Sequence, residues 1–276
     1  MFENIVGHER QKEILAKNIE KNSISHAYLF LGQEGIGKFK FACEFAKVLL
    51  NTNNLNNNPD FKVIRKREDK KDILVEQIRK EIIDDIYIVP ATGERKVYII
   101  DDAHQLNIAA QNTLLKTLEE PPRYITIILV ASNSSSFLAT ILSRVNQIPF
   151  EGISKNIVNN YLLSTFNTTL DDNILEYIDG SIGKALNIIN NNLTQKYKNI
   201  EKLYEIISSK DILEVLKYVS NVNFDDDLLD YLEFILYKRD KYNCIKIIEN
   251  AKNRLKFNGN YDIIIDSMLL RLIDNI

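Results

Sequence analysis

The chain has 276 residues, 45% of them hydrophobic and 26% charged, with a net charge of −3. That is enough apolar mass for about two folded domains, and it excludes whole-chain disorder. Two cysteines (Cys43 and Cys244) and three widely spaced histidines exclude a disulfide framework, a four-cysteine zinc site and a Cys/His finger. The slightly acidic balance gives no overall attraction to nucleic acid or to an anionic membrane. The opening segment MFENIVGHER has no secretory h-region, and no apolar run is long enough to span a bilayer. A soluble cytoplasmic protein with no membrane partner is the expectation.

Turn-forming residues are concentrated in the first half. All five prolines lie within the first 150 residues, and Gly259 is the only glycine beyond Gly183. Short apolar runs rich in β-branched and aromatic residues, Ala27–Leu31, Val97–Ile100 and Thr126–Val130, predict buried parallel strands. Shorter strands are expected at Phe61–Arg65 and Gln147–Phe150. Helical periodicity fills the intervals at Lys38–Leu50, Ile73–Ile83 and Ile108–Leu118. The low-complexity stretch Asn51–Asn58 predicts a polar loop. Alternating strands and helices imply an α/β domain over residues 1–150. After Gly152 only helical patterns remain. A small group over 151–195 contains Asn156–Phe166, Asp171–Ile178 and Lys184–Asn190. Longer helices follow over 196–276: Asn199–Ser208, Lys210–Val219, Asp225–Arg239, Asn243–Leu255 and Tyr261–Ile273. Asp225, Asp226 and Asp227 suit the N-terminus of the longest of these.

The sharpest local signal is Gly32-Gln33-Glu34-Gly35-Ile36-Gly37-Lys38-Phe39, between the strand AYLFL and a helix. Gly32, Gly35 and Gly37 let backbone amides converge on a phosphate at a helix N-terminus, and Lys38 would reach its terminal oxygens. The full pattern needs Ser or Thr after the lysine to ligate Mg²⁺. Phe39 has no oxygen to offer, so the loop can keep a phosphate-binding shape only without a working metal site. The alternative is a Gly-rich turn without a ligand. Asp101-Asp102 ends the strand KVYII, where a carboxylate facing such a loop holds Mg²⁺ and its neighbour polarises water. A turn-capping acidic pair is the equal alternative for Asp102. Lys62–Lys71 carries six basic residues but is interrupted by Glu68 and Asp69, so a solvated hairpin rim is preferred over a DNA contact. His8, His104 and Cys43 read as structural residues.

The ordered set His26-Ala27-Tyr28-Leu29-Phe30, Gly32–Lys38, Ile99-Ile100-Asp101-Asp102-Ala103-His104, Asn112–Pro122 (NTLLKTLEEPP) and Thr140-Ile141-Leu142-Ser143-Arg144 closely resembles the bacterial clamp-loader AAA+ family of DNA polymerase III, and within it the delta-prime branch. The resemblance covers about residues 1–190. It implies a RecA-like AAA+ α/β domain with a parallel sheet (1–150), a small helical lid (151–195) and an all-α collar that oligomerises (196–276). It further implies that Arg144, with Ser143, reaches the ATP of a neighbouring subunit as an arginine finger. Ser132 or Asn133 matches the family's first sensor. Gly180-Ser181-Ile182-Gly183-Lys184 matches the second-sensor helix, with Gly183 where active subunits carry arginine.

Phe39 and Gly183 together point to a subunit without ATPase activity of its own. The cofactor expectation is none required, with unhydrolysed ATP as an optional ligand. Family members usually carry a four-cysteine zinc module where this chain has Asn51–Asn58, so zinc is not expected. The partners implied are gamma/tau-like ATPase and delta-like subunits, the sliding clamp indirectly, and primed DNA through the complex. The rival reading is an active gamma/tau-like AAA+ ATPase.

Overall fold

The computed structural model describes residues 1–219, 222–257 and 259–276. In chain order the first half runs α1 (Glu9–Glu20), β1 (Ala27–Leu31), α2 (Lys38–Leu49), β2 (Phe61–Ile64), α3 (Val75–Ile78), a π-helical turn (Arg79–Ile83), β3 (Lys96–Ile100), a 3₁₀ turn (Ala103–Gln105), α4 (Ile108–Glu119), β4 (Ile125–Ala131), α5 (Ala139–Leu142), β5 (Asn146–Pro149) and α6 (Lys155–Phe166). The second half is α7 (Asp172–Tyr177), α8 (Ile182–Asn190), α9 (Thr194–Ser209), α10 (Ile212–Val219), α11 (Asp226–Lys238), α12 (Tyr242–Lys256) and α13 (Tyr261–Asn275). Among the described residues, no helix is long and apolar enough to cross a membrane.

The five expected strands form one sheet in the order β2-β3-β4-β1-β5, with every neighbouring pair parallel. Alternate residues face opposite sides, as the period of two requires. Ala27 and Leu29 of β1 and Tyr98 and Ile100 of β3 join the layer built by α4, α5 and the π-helical turn. Tyr28 and Phe30 of β1 and Val97 and Ile99 of β3 join the layer containing Leu15 of α1 and Phe41 and Phe45 of α2. Both faces are covered, which is why the strands read as unbroken apolar runs.

The structure corrects two sequence expectations. Ile73 does not open a helix, because it forms a parallel bridge with Leu106. The helix starts at Val75 and widens to π geometry at Arg79. Ile78, Ile82 and Ile86 are all fully buried. Residues four apart drift by about 40° per step on an ideal α-helix, and the π turn removes that drift. Lys62–Lys71 is not a hairpin rim either. β2 is an edge strand parallel to β3, followed by the exposed residues 65–72. The segment Glu9–Glu20 is also helical, although only Gln11 and Leu15 of it are buried.

By contact density the chain divides into two compact units, residues 1–169 with 178–184, and residues 170–177 with 185–276. The second unit is helical. Asp225 caps α11 by accepting from Leu228 N at 2.9 Å. Asp227, two residues on, instead receives the hydroxyls of Tyr177, at 2.9 Å, and of Tyr197. Tyr231 donates to Glu201 at 2.5 Å. The rings of Tyr177, Tyr197 and Tyr231 pack 4.7–5.9 Å apart. Burial raises the pKa of each of these tyrosines, and the carboxylates add to the effect, so the hydroxyls remain donors.

In the first unit two carboxylates pin the chain between the π turn and β3. Asp85 receives Tyr98 Oη at 2.6 Å and pairs with Lys62 at 3.1 Å and Lys96 at 3.2 Å. Asp60, 2% exposed, accepts from Ala91 N, Thr92 N and Thr92 Oγ1 at 2.6–2.8 Å. Burial alone would raise the Asp60 pKa, but these hydrogen bonds and Lys96 outweigh it and hold the carboxyl below its usual range. A depressed folded-state pKa means that its stabilisation is complete above the unfolded value of about 4 and is lost as pH falls through the folded value. Asp60→Asn should therefore lower stability at pH 7 by about 1–3 kcal/mol. It should also flatten the acid limb of the stability curve below about pH 4, as urea titrations across pH would read.

Candidate functional site

In the sheet order, β3, β4 and β1 are adjacent and parallel, so their carboxyl ends open onto one edge. That edge is where ligands bind in open parallel sheets. The chain leaves β1 into Gly32, β3 into Asp101 and β4 into Ser132. Three segments far apart in sequence therefore meet at one place. Gly32 N donates to Ala131 O at 3.2 Å, tying the start of the loop to the end of β4.

The loop's carbonyls are all engaged. Lys38 Nζ donates to Gly32 O and Gln33 O, both at 2.6 Å. Ser181 Oγ donates to Glu34 O at 3.0 Å, and Gly183 N to Gly35 O at 2.7 Å. His8 Nε2 donates to Ile36 O at 2.8 Å, with its ring edge-on to Phe150 at 5.0 Å. The N–H groups of residues 33–38, by contrast, find no acceptor among the described residues. This is the amide-lined shape of an anion nest. Lys38 is 6% exposed. Burial lowers its pKa, opposed by Glu34, Asp102 and Asp101, which places those carboxylates around it.

The metal side of the nest is built differently. Phe39 stands where a hydroxyl is needed, and the Arg65 guanidinium lies 4.3 Å from its ring centroid. Arg65 Nε also donates to Asp101 Oδ2 at 3.0 Å. The pairing is set by register. Ile64 stands beside Ile100, and Asp101 N donates to Ile64 O at 2.9 Å, so residues 65 and 101 emerge side by side. A hard divalent cation requires several oxygen ligands. Here one is missing and the other faces a permanent cation, so these residues do not fit Mg²⁺. Asp102 sits in the left-handed region at φ 48° and begins the 3₁₀ turn. Among the described residues, no three His, Cys, Asp or Glu side chains gather as metal ligands. Cys43 is half-buried beside this cluster, and burial pushes its thiol pKa up to about 11.

Ser132 is half-buried at the end of β4. It accepts from Asn133 Nδ2 at 3.3 Å, and Ser135 Oγ donates to Asn133 Oδ1 at 2.7 Å. Gln111 of α4, 1% exposed, was not anticipated from sequence. Its Nε2 donates to Leu106 O at 3.0 Å and Ser136 O at 2.8 Å, and its Oε1 accepts from Leu138 N at 2.8 Å. One buried amide thus ties the segment after Asp102 to the segment before α5. Ser143 and Arg144, just beyond α5, are not among the loop's hydrogen-bond partners. Arg144 Nη1 donates to Thr140 O at 3.0 Å and Ser143 Oγ at 3.1 Å, and Nη2 pairs with Glu119 at 2.8 Å. Val145 packs into the core.

Residues 178–184 are stitched to the nest. Besides the Ser181 and Gly183 bonds, Gln33 Nε2 donates to Asp179 O. Gly183 also serves close packing, since a Cβ there would lie 2.8 Å from Gly35 Cα and 3.0 Å from Gly35 O. The absence of a side chain at 183 is thus a packing requirement.

A five-stranded parallel sheet in this order, with a Gly-rich loop after its β1 and an acidic pair after β3, defines a RecA-like AAA+ domain. Residues 7–154, more than half the chain, match the family described as "DNA polymerase III, delta subunit". The chain belongs to this DNA polymerase III clamp-loader family. It is 26% identical to the DNA polymerase III gamma subunit of Buchnera aphidicola subsp. Acyrthosiphon pisum, across all of this chain and 96% of that one. It is 32% identical to the tau subunit of Bacillus subtilis over 66% of this chain, which spans only 34% of that longer protein. Among solved structures, a gamma-subunit-related protein of Thermotoga maritima superposes with a TM-score of 0.58 at 17% identity, covering 95% of this chain and 99% of that one. The RuvB Holliday junction branch migration motor of Thermotoga maritima superposes with a TM-score of 0.53 at 19% identity, covering 98% and 89%. These structural likenesses speak for the fold.

Gly183→Arg, which would place a cation at this position, should lower stability by about 1–3 kcal/mol through overpacking against Gly35. A drop in Tm, with no gain of ATP hydrolysis by the purified chain, is the expected result.

Proposed function

We propose that this chain is a delta-prime-like, non-catalytic subunit of a DNA polymerase III clamp loader. It assembles with gamma/tau-like ATPase and delta-like subunits and supplies Arg144 to a neighbour's ATP. Through the complex it helps place a sliding clamp on primed DNA. Residues 151–195 then serve as the lid and 196–276 as the collar. The reading rests above all on Arg65. Its guanidinium occupies Asp101 and stacks on Phe39, so the position that would organise Mg²⁺ already holds a cation. The loop Gly32, Gly35, Gly37 and Lys38 keeps its amide nest. Ser132, Asp101 and Asp102 stand beside it, and an unhydrolysed nucleotide is an optional ligand that suits that shape. Arg144 lies on the surface with its side chain 33% exposed. A planar, permanently charged guanidinium suits a transferring phosphoryl group, where such fingers contribute about 10³–10⁵ in rate.

A second reading, an active gamma/tau-like ATPase, is favoured by the names of the relatives, which are gamma and tau subunits. The two readings separate by experiment. The purified chain should not hydrolyse ATP. Mixed with the candidate ATPase and clamp subunits, it should form a defined complex with DNA-stimulated ATP turnover. Arg144→Ala should leave assembly intact and slow that turnover by at least about tenfold, whereas Lys38→Ala should change it little. Hydrolysis by the chain alone, abolished by Lys38→Ala, would establish the second reading.

A further inference from the structure

We infer that Glu119 is the positioning residue for Arg144, and that α4 is the element that sets where this guanidinium stands. The inference rests on the finger role proposed above and goes beyond it. An arginine side chain has four rotatable bonds and a large rotamer entropy, so a finger with no partner on its own chain would sample many positions. Arg144 is held from two sides. Thr140 O, within the short helix α5, and Ser143 Oγ take the two Nη1 donors at 3.0 and 3.1 Å. Glu119 takes one Nη2 donor at 2.8 Å. Of the five N–H donors of a guanidinium, two remain to address an incoming polyphosphate.

The placement of Glu119 gives it leverage. It is the last residue of α4. The same helix, through Gln111, fixes Ser136 O and Leu138 N on the approach to α5. α4 therefore grips the finger segment twice, once through the backbone before α5 and once through the guanidinium after it. The helix begins immediately beyond Asp101, Asp102 and the 3₁₀ turn. The grip on Arg144 is light. Glu119 is about half exposed and Arg144 about one-third exposed, so water screens the pair and its contribution is orientation more than attraction. The negative charge of Glu119 is a cost near a polyphosphate. A neutral acceptor at the same position should keep the geometry and remove the repulsion.

The test uses the reconstituted complex with variants of the full chain, each checked for native melting and assembly. Glu119→Ala should lower ATP turnover at saturation about fivefold, with little change in the ATP concentration for half-saturation. Glu119→Gln should restore turnover to the wild-type level or above. In the Arg144→Ala background, Glu119→Ala should add nothing. A purely structural role would lower assembly or melting temperature and would not be rescued selectively by Gln. Unchanged or raised turnover in Glu119→Ala overturns the inference, as does Glu119→Gln matching the alanine variant. A further loss in the Arg144→Ala background also overturns it. If Arg144→Ala slows turnover while Glu119→Ala does not, the finger survives and only the positioning role falls. If Arg144→Ala itself has no effect, the finger and its positioning fall together.

Discussion

Because β3, β4 and β1 lie side by side and run in the same direction, the chain leaves the sheet three times along a single edge. Everything chemical in the first unit depends on that arrangement. The amide nest after β1, the acidic pair after β3 and the polar turn after β4 are separated in sequence by tens of residues, yet the parallel order makes them neighbours. Two unbroken apolar layers cover the sheet and fix its register. A slip of one residue would exchange the layers, so the register is strongly specified.

Register also explains why an arginine faces the acidic pair beside the nest. Ile64 aligns with Ile100, so whatever follows Ile64 stands beside Asp101. Here that residue is an arginine. Its charge satisfies the carboxylate, and its flat face covers Phe39. A guanidinium cannot be deprotonated in a protein, so the charge it brings beside Asp101 does not change with pH. The carbonyls of the loop are meanwhile drawn onto Lys38, Ser181, Gly183 and His8. The nest is thus held from several directions by the chain's own groups, independently of any ligand.

The α/β order, the five strands and the helical second half were legible because apolar periodicity and turn residues are local signals. Most of the features missed share one cause, which is partners distant in sequence. Arg65 reads as one more cation in a basic stretch until β2 is placed beside β3. Asp227 reads as part of an N-terminal acidic cluster until Tyr177 and Tyr197 claim it. Gln111 reads as an ordinary polar position on α4, and only the fold shows that it is buried and triply bonded. Ile73 fits a helical pattern and was lost to a bridge with Leu106. Glu9–Glu20 offered too few apolar residues for a pattern to register.

By itself, the sequence determined the class of fold and the location of its phosphate loop. It also determined that a hydroxyl is absent at position 39 and that a Ser-Arg pair follows Leu142. These are facts of residue identity and short-range spacing, and no packing is needed to read them. Tertiary structure alone decided which cation meets Asp101, why position 183 admits no side chain, and what holds Arg144. Each of these depends on a close approach between segments that the chain brings together only once the parallel sheet has formed.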